Sequence, residues 1–238
     1  MKTLLITGGS QGIGAKIVRE FAENGWRVVF SYNRHKDKAL ALSKETGAVP
    51  IKADFLLERE TQEFIEKAAL QLGHADAIIL NAGTAYRGLF SEMPIDKFQE
   101  LFKLHLLAPA QILQFFMPLM RKSNGGSVVF ISSIWAKKAS AMEAAYSAVK
   151  AGQIRICEAL SKEEGASGLR FNAICPGPVE TQMMAGFSKD DMQSIKYACA
   201  LNRLPKTQDI AQLAYFLCSD KASGITGQAI TLDCGFTL

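Results

Sequence analysis

The sequence predicts an α/β fold: a single, doubly wound domain in which a seven-stranded parallel sheet carries helices on both faces. Seven short runs rich in valine, isoleucine and leucine alternate along the chain with segments of helical periodicity. The runs are almost continuously apolar, which is typical of parallel strands buried on both faces. No linker rich in proline, glycine or serine divides the chain, so we expect one domain over residues 1–238.

Each apolar run ends where turn residues or a helical pattern begins, and this gives the order of the elements. The predicted strands are TLLIT (3–7), RVVFSY (27–32), AVPIKA (48–53), DAIIL (76–80), GSVVFIS (126–132), LRFNAIC (169–175) and AITLD (229–233). Between them, apolar residues recur at helical spacing near 13–24, 37–45, 64–72, 95–121, 146–164 and 208–219. Asn24-Gly25 ends the first helix. The stretch at 182–203 is predicted to be irregular.

Composition excludes several classes of protein. The chain is 48% hydrophobic and 21% charged, as globular proteins are, and its net charge of +4 comes from scattered basic residues, which predicts no nucleic-acid partner. Five cysteines without a CxxC pair and three histidines argue against a metal site, and the odd cysteine count fits a reducing compartment. The first residues hold too short an apolar run for a signal peptide, and polar residues and prolines interrupt 104–120. We expect a cytoplasmic protein without a membrane partner.

The first predicted strand is followed by a glycine-rich turn, TGGSQGIG at residues 7–14. Glycine permits positive φ and lets the backbone approach a phosphate, and the helix that follows points free N–H groups at that anion. We therefore expect a phosphate-binding turn formed by Gly8, Gly12 and Gly14, with Ser10 and Gln11 beside the anion. A tight turn without a ligand is the alternative for such a motif taken alone. In a Rossmann-type sheet, ligands bind beyond the carboxyl ends of the strands, where this turn lies.

The end of the second strand bears on which dinucleotide binds. An acidic residue there would bind the ribose 2′-hydroxyl of NAD, whereas a basic residue suits the 2′-phosphate of NADP. Here the strand runs into SYNRHK (31–36), and the first acid, Asp37, already falls in the predicted helix. Arg34 has the forked geometry that binds phosphate, and Lys36 adds a positive charge. The sequence favours NADP(H) over NAD(H); two basic residues in a surface loop are the alternative.

Six motifs in chain order resemble the short-chain dehydrogenase/reductase family over essentially the whole length. They are TGGSQGIG, Asp54 after the third strand, LNAG (80–83), ISS (131–133), YSAVK (146–150) and PGPVET (176–181), and the tail at 224–235 also fits. Within the family the sequence is most similar to the 3-oxoacyl-[acyl-carrier-protein] reductase type. The resemblance implies an NAD(P)(H)-dependent oxidoreductase that acts on CH–OH groups.

The resemblance also implies which residues meet the dinucleotide. It places Asp54 and Phe55 at the adenine edge. It implies that the loop at 176–181 holds the nicotinamide carboxamide, so that one face of the nicotinamide ring is presented. For Asn81 and Asp54 alone, a structural role as turn or cap is the alternative. The residues that the resemblance assigns to the cofactor are Gly8, Gly12, Ile13, Gly14, Asp54, Phe55, Asn81, Ala82, Gly83, Tyr146, Lys150, Pro176, Gly177, Val179 and Thr181.

The motif YSAVK places Tyr146 and Lys150 four residues apart, on one face of a predicted helix. A free phenol, with a pKa of about 10, is a weak acid, but a nearby cation stabilises the phenolate and lowers that pKa. We interpret the pair as a proton donor and the cation that tunes it; a solvated surface pair is the alternative. The resemblance adds that Lys150 hydrogen-bonds the nicotinamide ribose and that Ser133 stabilises charge on the substrate carbonyl.

One position departs from the family pattern. In the family, the helix that corresponds to 95–121 usually carries an asparagine. That asparagine is associated with a helix distortion and with a water that connects the lysine to solvent. This chain has His105 at the matching position. Histidine is larger and titrates near pH 6.5. His105 could replace the asparagine as a catalytic residue and add a pH dependence, it could slow catalysis, or the protein could be a weakened enzyme that acts as a nucleotide-binding regulator. A histidine that only packs is the remaining alternative.

Substrate specificity is expected from the loops at 84–89, 134–142 and 182–203. We expect Ser133, Trp135 and Tyr146 to contact the substrate. Further candidates for an apolar wall are Met142, Met183, Met184 and Phe187. The substrate would be a small carbonyl or alcohol compound. This class includes acyl groups carried on acyl carrier protein or coenzyme A.

The predicted function is NADPH-dependent reduction of a ketone, which includes 3-oxoacyl thioesters and hence fatty acid biosynthesis. An NAD(P)+-dependent alcohol or sugar-alcohol dehydrogenase is the alternative within the enzyme class. The helices at 95–121 and 144–164 look too apolar for one subunit to cover, and similar proteins pair such helices between subunits. We therefore expect a homotetramer, with a dimer as the alternative.

Overall fold

The computed structural model describes residues 1–123, 125–180 and 188–238. Within these residues, the strands are β1 (Thr3–Ile6), β2 (Arg27–Tyr32), β3 (Val49–Lys52), β4 (Ala77–Leu80), β5 (Gly126–Ile131), β6 (Leu169–Pro176) and β7 (Ala229–Leu232). They form one sheet in the order β3-β2-β1-β4-β5-β6-β7, with every neighbouring pair parallel. The seven-stranded parallel sheet predicted from the sequence is confirmed.

The chain reverses its direction of winding at β1, and this creates a crevice. Leu5 of β1 pairs with Val29 of β2 on one side and with Ile78 of β4 on the other. Successive strands are therefore added outward from β1 in both directions. The segments that leave the carboxyl ends of β1 and β4 diverge above this point, where open α/β sheets bind their ligands.

Helices cover both faces of the sheet, as predicted. They are α1 (Gly12–Glu23), α2 (Lys36–Thr46), α3 (Glu58–Leu72), α4 (Ile95–Phe102), α5 (Ala108–Lys122), α6 (Ala144–Glu164), α7 (Lys189–Ala198) and α8 (Thr207–Cys218). One core packs α3, α5 and α6 against the sheet, and the other packs α1, α2 and α8. Along β5, Val128 and Phe130 enter the first core, and Val129 and Ile131 enter the second, because successive side chains of a strand point to opposite faces.

The helical region predicted at 95–121 is present, but it contains the distortion that the resemblance associates with position 105. A π-helical turn, Lys103–Leu107, separates α4 from α5, and His105 lies at its centre. Pro109 gives a physical reason: proline has no N–H, so it cannot donate to the carbonyl four residues earlier, which is that of His105. That carbonyl accepts a hydrogen bond from the Gln153 Nε2 atom instead, at 2.9 Å.

The segment at 182–203 also differs from the prediction, because α7 lies within it. A capping box starts this helix: the Ser188 hydroxyl accepts from the Asp191 N–H, and the Asp191 carboxylate accepts from the Ser188 N–H. Within α7, Met192 and Ile195 are partly buried and Tyr197 is exposed, so the sequence offers only a short apolar pattern there. No helix in the described parts of the chain is long and apolar enough to cross a bilayer.

Candidate active site

The glycine-rich turn between β1 and α1 is built so that backbone groups come close together. Gly8 and Gly12 have φ of 70° and 56°, which side-chain-bearing residues rarely adopt. The neighbouring strand fixes the turn, because the Gly8 N–H donates to the Ser31 hydroxyl at 2.8 Å and the Gly9 N–H donates to the Ser31 carbonyl at 2.9 Å. The turn therefore presents backbone, rather than side chains, to a ligand at the N-terminus of α1.

Asn81, directly after β4, holds the other side of this turn. Its Nδ2 atom donates to the Thr7 carbonyl at 3.1 Å and to the Gly8 carbonyl at 2.9 Å. The Thr7 hydroxyl accepts in return from the N–H groups of Asn81 and Ala82, each at 3.0 Å. Asn81 thus performs the structural role that its sequence position allowed. A Cβ atom on Gly14 would lie 2.6 Å from Asn81 Nδ2, so a glycine is needed for α1 to pack this closely on the turn.

The adenine side of the predicted nucleotide site is formed by segments after β2 and β3. Asp54 accepts from the Leu56 N–H at 3.1 Å and so forms a turn before α3. The Phe55 ring is buried and packs edge-on against Phe64, 5.2 Å between centroids, so little of the side chain is left to meet a nucleotide. Arg34 is exposed in the loop after β2. Lys38, which sequence reasoning missed, donates from Nζ to the Gln11 Oε1 atom in the glycine turn at 3.1 Å.

A cavity of about 390 Å³ opens at the carboxyl ends of β4, β5 and β6. Among the residues that the sequence placed in an active site, it brings together those assigned to catalysis and part of those assigned to the cofactor. Those that line it are Ile13, Asn81, Gly83, His105, Ser133, Trp135, Tyr146, Lys150, Pro176, Gly177 and Val179. Thr181, Met183, Met184 and Phe187 lie outside the described residues. Met142 is not among the lining residues. Arg87 and Ile195 line the cavity from the specificity loops predicted at 84–89 and 182–203, whereas Glu143 and Phe236 line it and were not predicted.

Tyr146 lies in the first turns of α6 and faces this cavity. Burial raises the pKa of its phenol to about 12, while a side-chain hydrogen bond with Ser133 opposes the rise and the Glu143 charge adds to it. The sequence predicted a lowered pKa from Lys150, but the ammonium is 5.6 Å from the centre of the tyrosine ring and burial dominates. The phenol therefore keeps its proton at neutral pH.

Lys150 is almost completely buried one helical turn further along α6. Its Nζ atom donates to the Ile131 carbonyl at 2.7 Å and to the Gln153 Oε1 atom at 3.3 Å. Burial lowers the pKa of this amine to about 7, because a low-dielectric environment disfavours the charged form. The charge on Lys150 therefore depends on pH in the physiological range.

Comparisons with known proteins agree with this geometry. The family described as enoyl-(acyl carrier protein) reductase matches residues 8–237. Acetoacetyl-CoA reductase of Shinella zoogloeoides is 33% identical over 235 residues, which cover 98% of each chain. The 3-oxoacyl-[acyl-carrier-protein] reductase FabG of Staphylococcus epidermidis is 31% identical over 239 residues, again covering 98% of each.

A solved structure extends the likeness to three dimensions. The blue fluorescent protein from a metagenomic library, in complex with NADPH, superposes with a TM-score of 0.94 at 29% identity, covering 100% of this chain and 98% of that one. The chain belongs to the short-chain dehydrogenase/reductase family. It is accordingly an NAD(P)-dependent oxidoreductase.

His105 occupies the position where the resemblance predicted a departure from the family pattern. Its Nε2 atom lies 2.8 Å from the Thr84 carbonyl, so this nitrogen carries the proton, and its ring meets Tyr146 edge-on with 5.7 Å between centroids. The Nδ1 atom is buried without a hydrogen-bond partner in the described residues. Burial and the Lys150 charge lower the pKa of His105 to about 3. The imidazole is neutral at physiological pH and does not supply the pH dependence hypothesised near pH 6.5.

We expect His105→Asn to change how stability depends on pH. In the unfolded chain the imidazole takes up a proton near pH 6.5, but in the folded protein its pKa is about 3. The wild type therefore loses stability from this group as pH falls below 6.5, and the asparagine variant does not. Melting temperatures measured at neutral and mildly acidic pH should fall less in His105→Asn than in the wild type. His35→Asn, at the partly exposed start of α2, is the control; equal acid sensitivity in wild type and His105→Asn would contradict this expectation.

Proposed function

We propose that the protein is an NADPH-dependent carbonyl reductase in which Tyr146 protonates the carbonyl oxygen of a ketone. The observation that carries the proposal is that Ser133, Tyr146 and Lys150 line one cavity with the loop after β6. The glycine turn presents backbone at the N-terminus of α1, where a dinucleotide pyrophosphate would fit, and the close packing around Gly8 and Gly14 leaves no room for side chains. When bound, the reduced nicotinamide supplies the hydride.

The side chains divide the remaining work between them. The Tyr146 phenol is protonated at neutral pH and so holds the proton that the reduced oxygen requires. The Ser133 hydroxyl stabilises negative charge as it develops on the carbonyl oxygen. Lys150, as an ammonium, stabilises the phenolate that remains. Because the pKa of Lys150 is about 7, its charged fraction decreases as pH rises through this value, and reduction should slow on the alkaline side.

The cavity walls support an acyl substrate. Trp135 and Phe236 meet edge to face, 6.4 Å between ring centroids, and Val179 and Ile195 add aliphatic surface. The relatives named above are reductases of acetoacetyl-CoA and of 3-oxoacyl groups on acyl carrier protein. We propose 3-oxoacyl thioesters, carried on acyl carrier protein or coenzyme A, as the substrate class, and hence a role in fatty acid biosynthesis.

Turnover with the purified protein tests this function directly. Consumption of NADPH would be followed with acetoacetyl-CoA and a panel of simple ketones, and reduction of NADP+ or NAD+ with the corresponding alcohols and sugar alcohols. Faster reduction of the thioester with NADPH is the expected result. Preferential oxidation of a sugar alcohol would favour the dehydrogenase alternative. Tight binding of NADPH without turnover of any carbonyl would favour a nucleotide-binding regulator.

A preference for NADP(H) over NAD(H) is proposed from the basic residues beside the glycine turn. Arg34 leaves β2 next to the site, and Lys38 reaches the turn from α2 through Gln11. No acidic side chain lies between Tyr32 and α2 to bind the ribose 2′-hydroxyl. Two cations placed there favour the 2′-phosphate.

We expect Lys38→Gln to raise the KM for NADPH about fivefold, the size of one exposed charge pair. The KM for NADH should not change, because NADH lacks the 2′-phosphate. Steady-state rates with both cofactors measure the ratio. Lys44→Gln, in the last turn of α2, is the matched control and should leave both values unchanged. Equal increases for NADPH and NADH would indicate that Lys38 only supports the turn.

The oligomeric state and the cellular location of the protein are also proposed. The face formed by α4, the π-turn and α5 exposes four apolar side chains, Ile95, Phe102, Leu107 and Phe115. We propose that residues 1–238 act as one domain and that this face pairs with a second copy in a homotetramer, which light scattering tests. A reducing, cytoplasmic location is supported by the five cysteines, all of which are free thiols.

A further inference from the structure

A buried amide connects Lys150 to the π-turn. Gln153 is 1% exposed and lies three residues after Lys150 on α6. Its Oε1 atom accepts from the Lys150 Nζ atom at 3.3 Å, and its Nε2 atom donates to the His105 carbonyl at 2.9 Å. The side chain therefore links the lysine to the backbone of a different helical segment.

The two partners determine which way this amide points. A carbonyl oxygen accepts and an ammonium donates, so the NH₂ group must face His105 and the oxygen must face Lys150. The His105 carbonyl is available because Pro109 has no N–H to donate to it. The position of the proline thus orients the glutamine, and the glutamine in turn presents its oxygen to the lysine.

The Gln153 oxygen matters to Lys150 because the titratable groups around the ammonium carry no charge near pH 7. The titratable groups that face it are Tyr146 on α6, His105 on the π-turn and Cys175 on β6. Burial raises the pKa values of Tyr146 and Cys175 and lowers that of His105, so all three are neutral near pH 7. In the described residues, the acceptors that meet the ammonium are the neutral oxygens of Ile131 and Gln153.

We propose that Gln153 is a positioning residue that fixes the Lys150 ammonium and favours its charged form. With two N–H groups held by Ile131 and Gln153, the third is left to point toward the cleft that Tyr146 lines. The role assigned here rests on the proposed function, because the charge on Lys150 matters for turnover only if Tyr146 donates the proton.

The test replaces the amide by an apolar side chain of similar length. In Gln153→Met the ammonium loses an acceptor, so the pH at which reduction slows should fall by about one unit. Gln153→Glu keeps an oxygen beside Lys150 and should return this pH to the wild-type value or above it. A merely structural role would lower the rate by the same factor at every pH, and that result would overturn the proposal.

Asn172 supplies the matched control. It is a fully buried amide on β6 that donates to the Ile225 carbonyl and accepts from the Gln228 N–H, and it lies on the sheet face opposite Cys175. Asn172→Leu should lower the melting temperature without moving the pH profile. A profile that moved equally in Asn172→Leu would show that any loss of a buried amide has this effect, and it would also overturn the proposal.

A measurement without turnover separates this proposal from the proposed function. In protein labelled with ¹³C at the lysine ε-carbons, the Lys150 signal, identified by its absence in Lys150→Met, reports the titration of this amine directly. A lower titration midpoint in Gln153→Met supports the positioning role even if no ketone is reduced. An unchanged midpoint refutes it even if the wild type is an active reductase.

Discussion

The Tyr146→Phe variant is expected to lose carbonyl reduction by about a thousandfold, the contribution typical of a positioned proton donor. Phenylalanine keeps the ring that packs against His105 but removes the only hydroxyl proposed to protonate the substrate oxygen. Affinity for NADPH should change by no more than about twofold, because the glycine turn and Asn81 are untouched. Turnover with NADPH and acetoacetyl-CoA, together with NADPH titration by fluorescence, measures both quantities.

Tyr215→Phe is the control for this experiment. Tyr215 lies on α8, packed against Phe21 and Trp26 on the other side of the sheet, and the same loss of a hydroxyl there should leave turnover unchanged. Turnover close to the wild-type rate in Tyr146→Phe would remove Tyr146 from the mechanism.

Gly14→Ala is expected to lower the affinity for NADPH by about a hundredfold. The added methyl group would meet the Gly8 carbonyl, which cannot move without disturbing β1, and would lie 2.6 Å from Asn81 Nδ2. Relieving this overlap shifts the turn that would receive the pyrophosphate. Titration of the variant with NADPH measures the loss.

The control for a glycine-to-alanine change is Gly165, at the end of α6. A Cβ atom there meets nothing within 4 Å and the backbone needs no positive φ, so Gly165→Ala should bind NADPH like the wild type. If Gly14→Ala also bound NADPH normally, the turn would not be the site of the pyrophosphate.

The strands and their succession along the chain were predictable because each strand is a short, nearly continuous apolar run without helical periodicity. The π-turn escaped the pattern, since an extra residue in one helical turn does not interrupt the apolar spacing around 95–121. Two signals for it were available: the helix distortion that the resemblance associates with position 105, and Pro109, whose missing N–H frees the His105 carbonyl. The capping residues Ser188 and Asp191 were the signal for α7, whose weak apolar face gave none.

The candidate site was predictable where its residues closely follow strand ends, as Asn81 and Ser133 do. Lys38 and Gln153 were missed because each acts through a contact with another segment, and sequence spacing does not reveal such contacts. The sequence predicted a lowered pKa for Tyr146, whereas burial raises it. A tyrosine–lysine pair can be recognised in a sequence, but the depth at which the fold buries it cannot.

The close packing of Gly83 against His105 limits how this chain can diverge. A methyl group at residue 83 would lie 2.6 Å from the imidazole Cε1 atom, so the glycine is obligatory as long as the histidine is present. A smaller residue at 105 would release that restriction. Position 105 can therefore change while Gly83 stays, but on an evolutionary path position 83 can change only after the histidine has been replaced by a smaller residue.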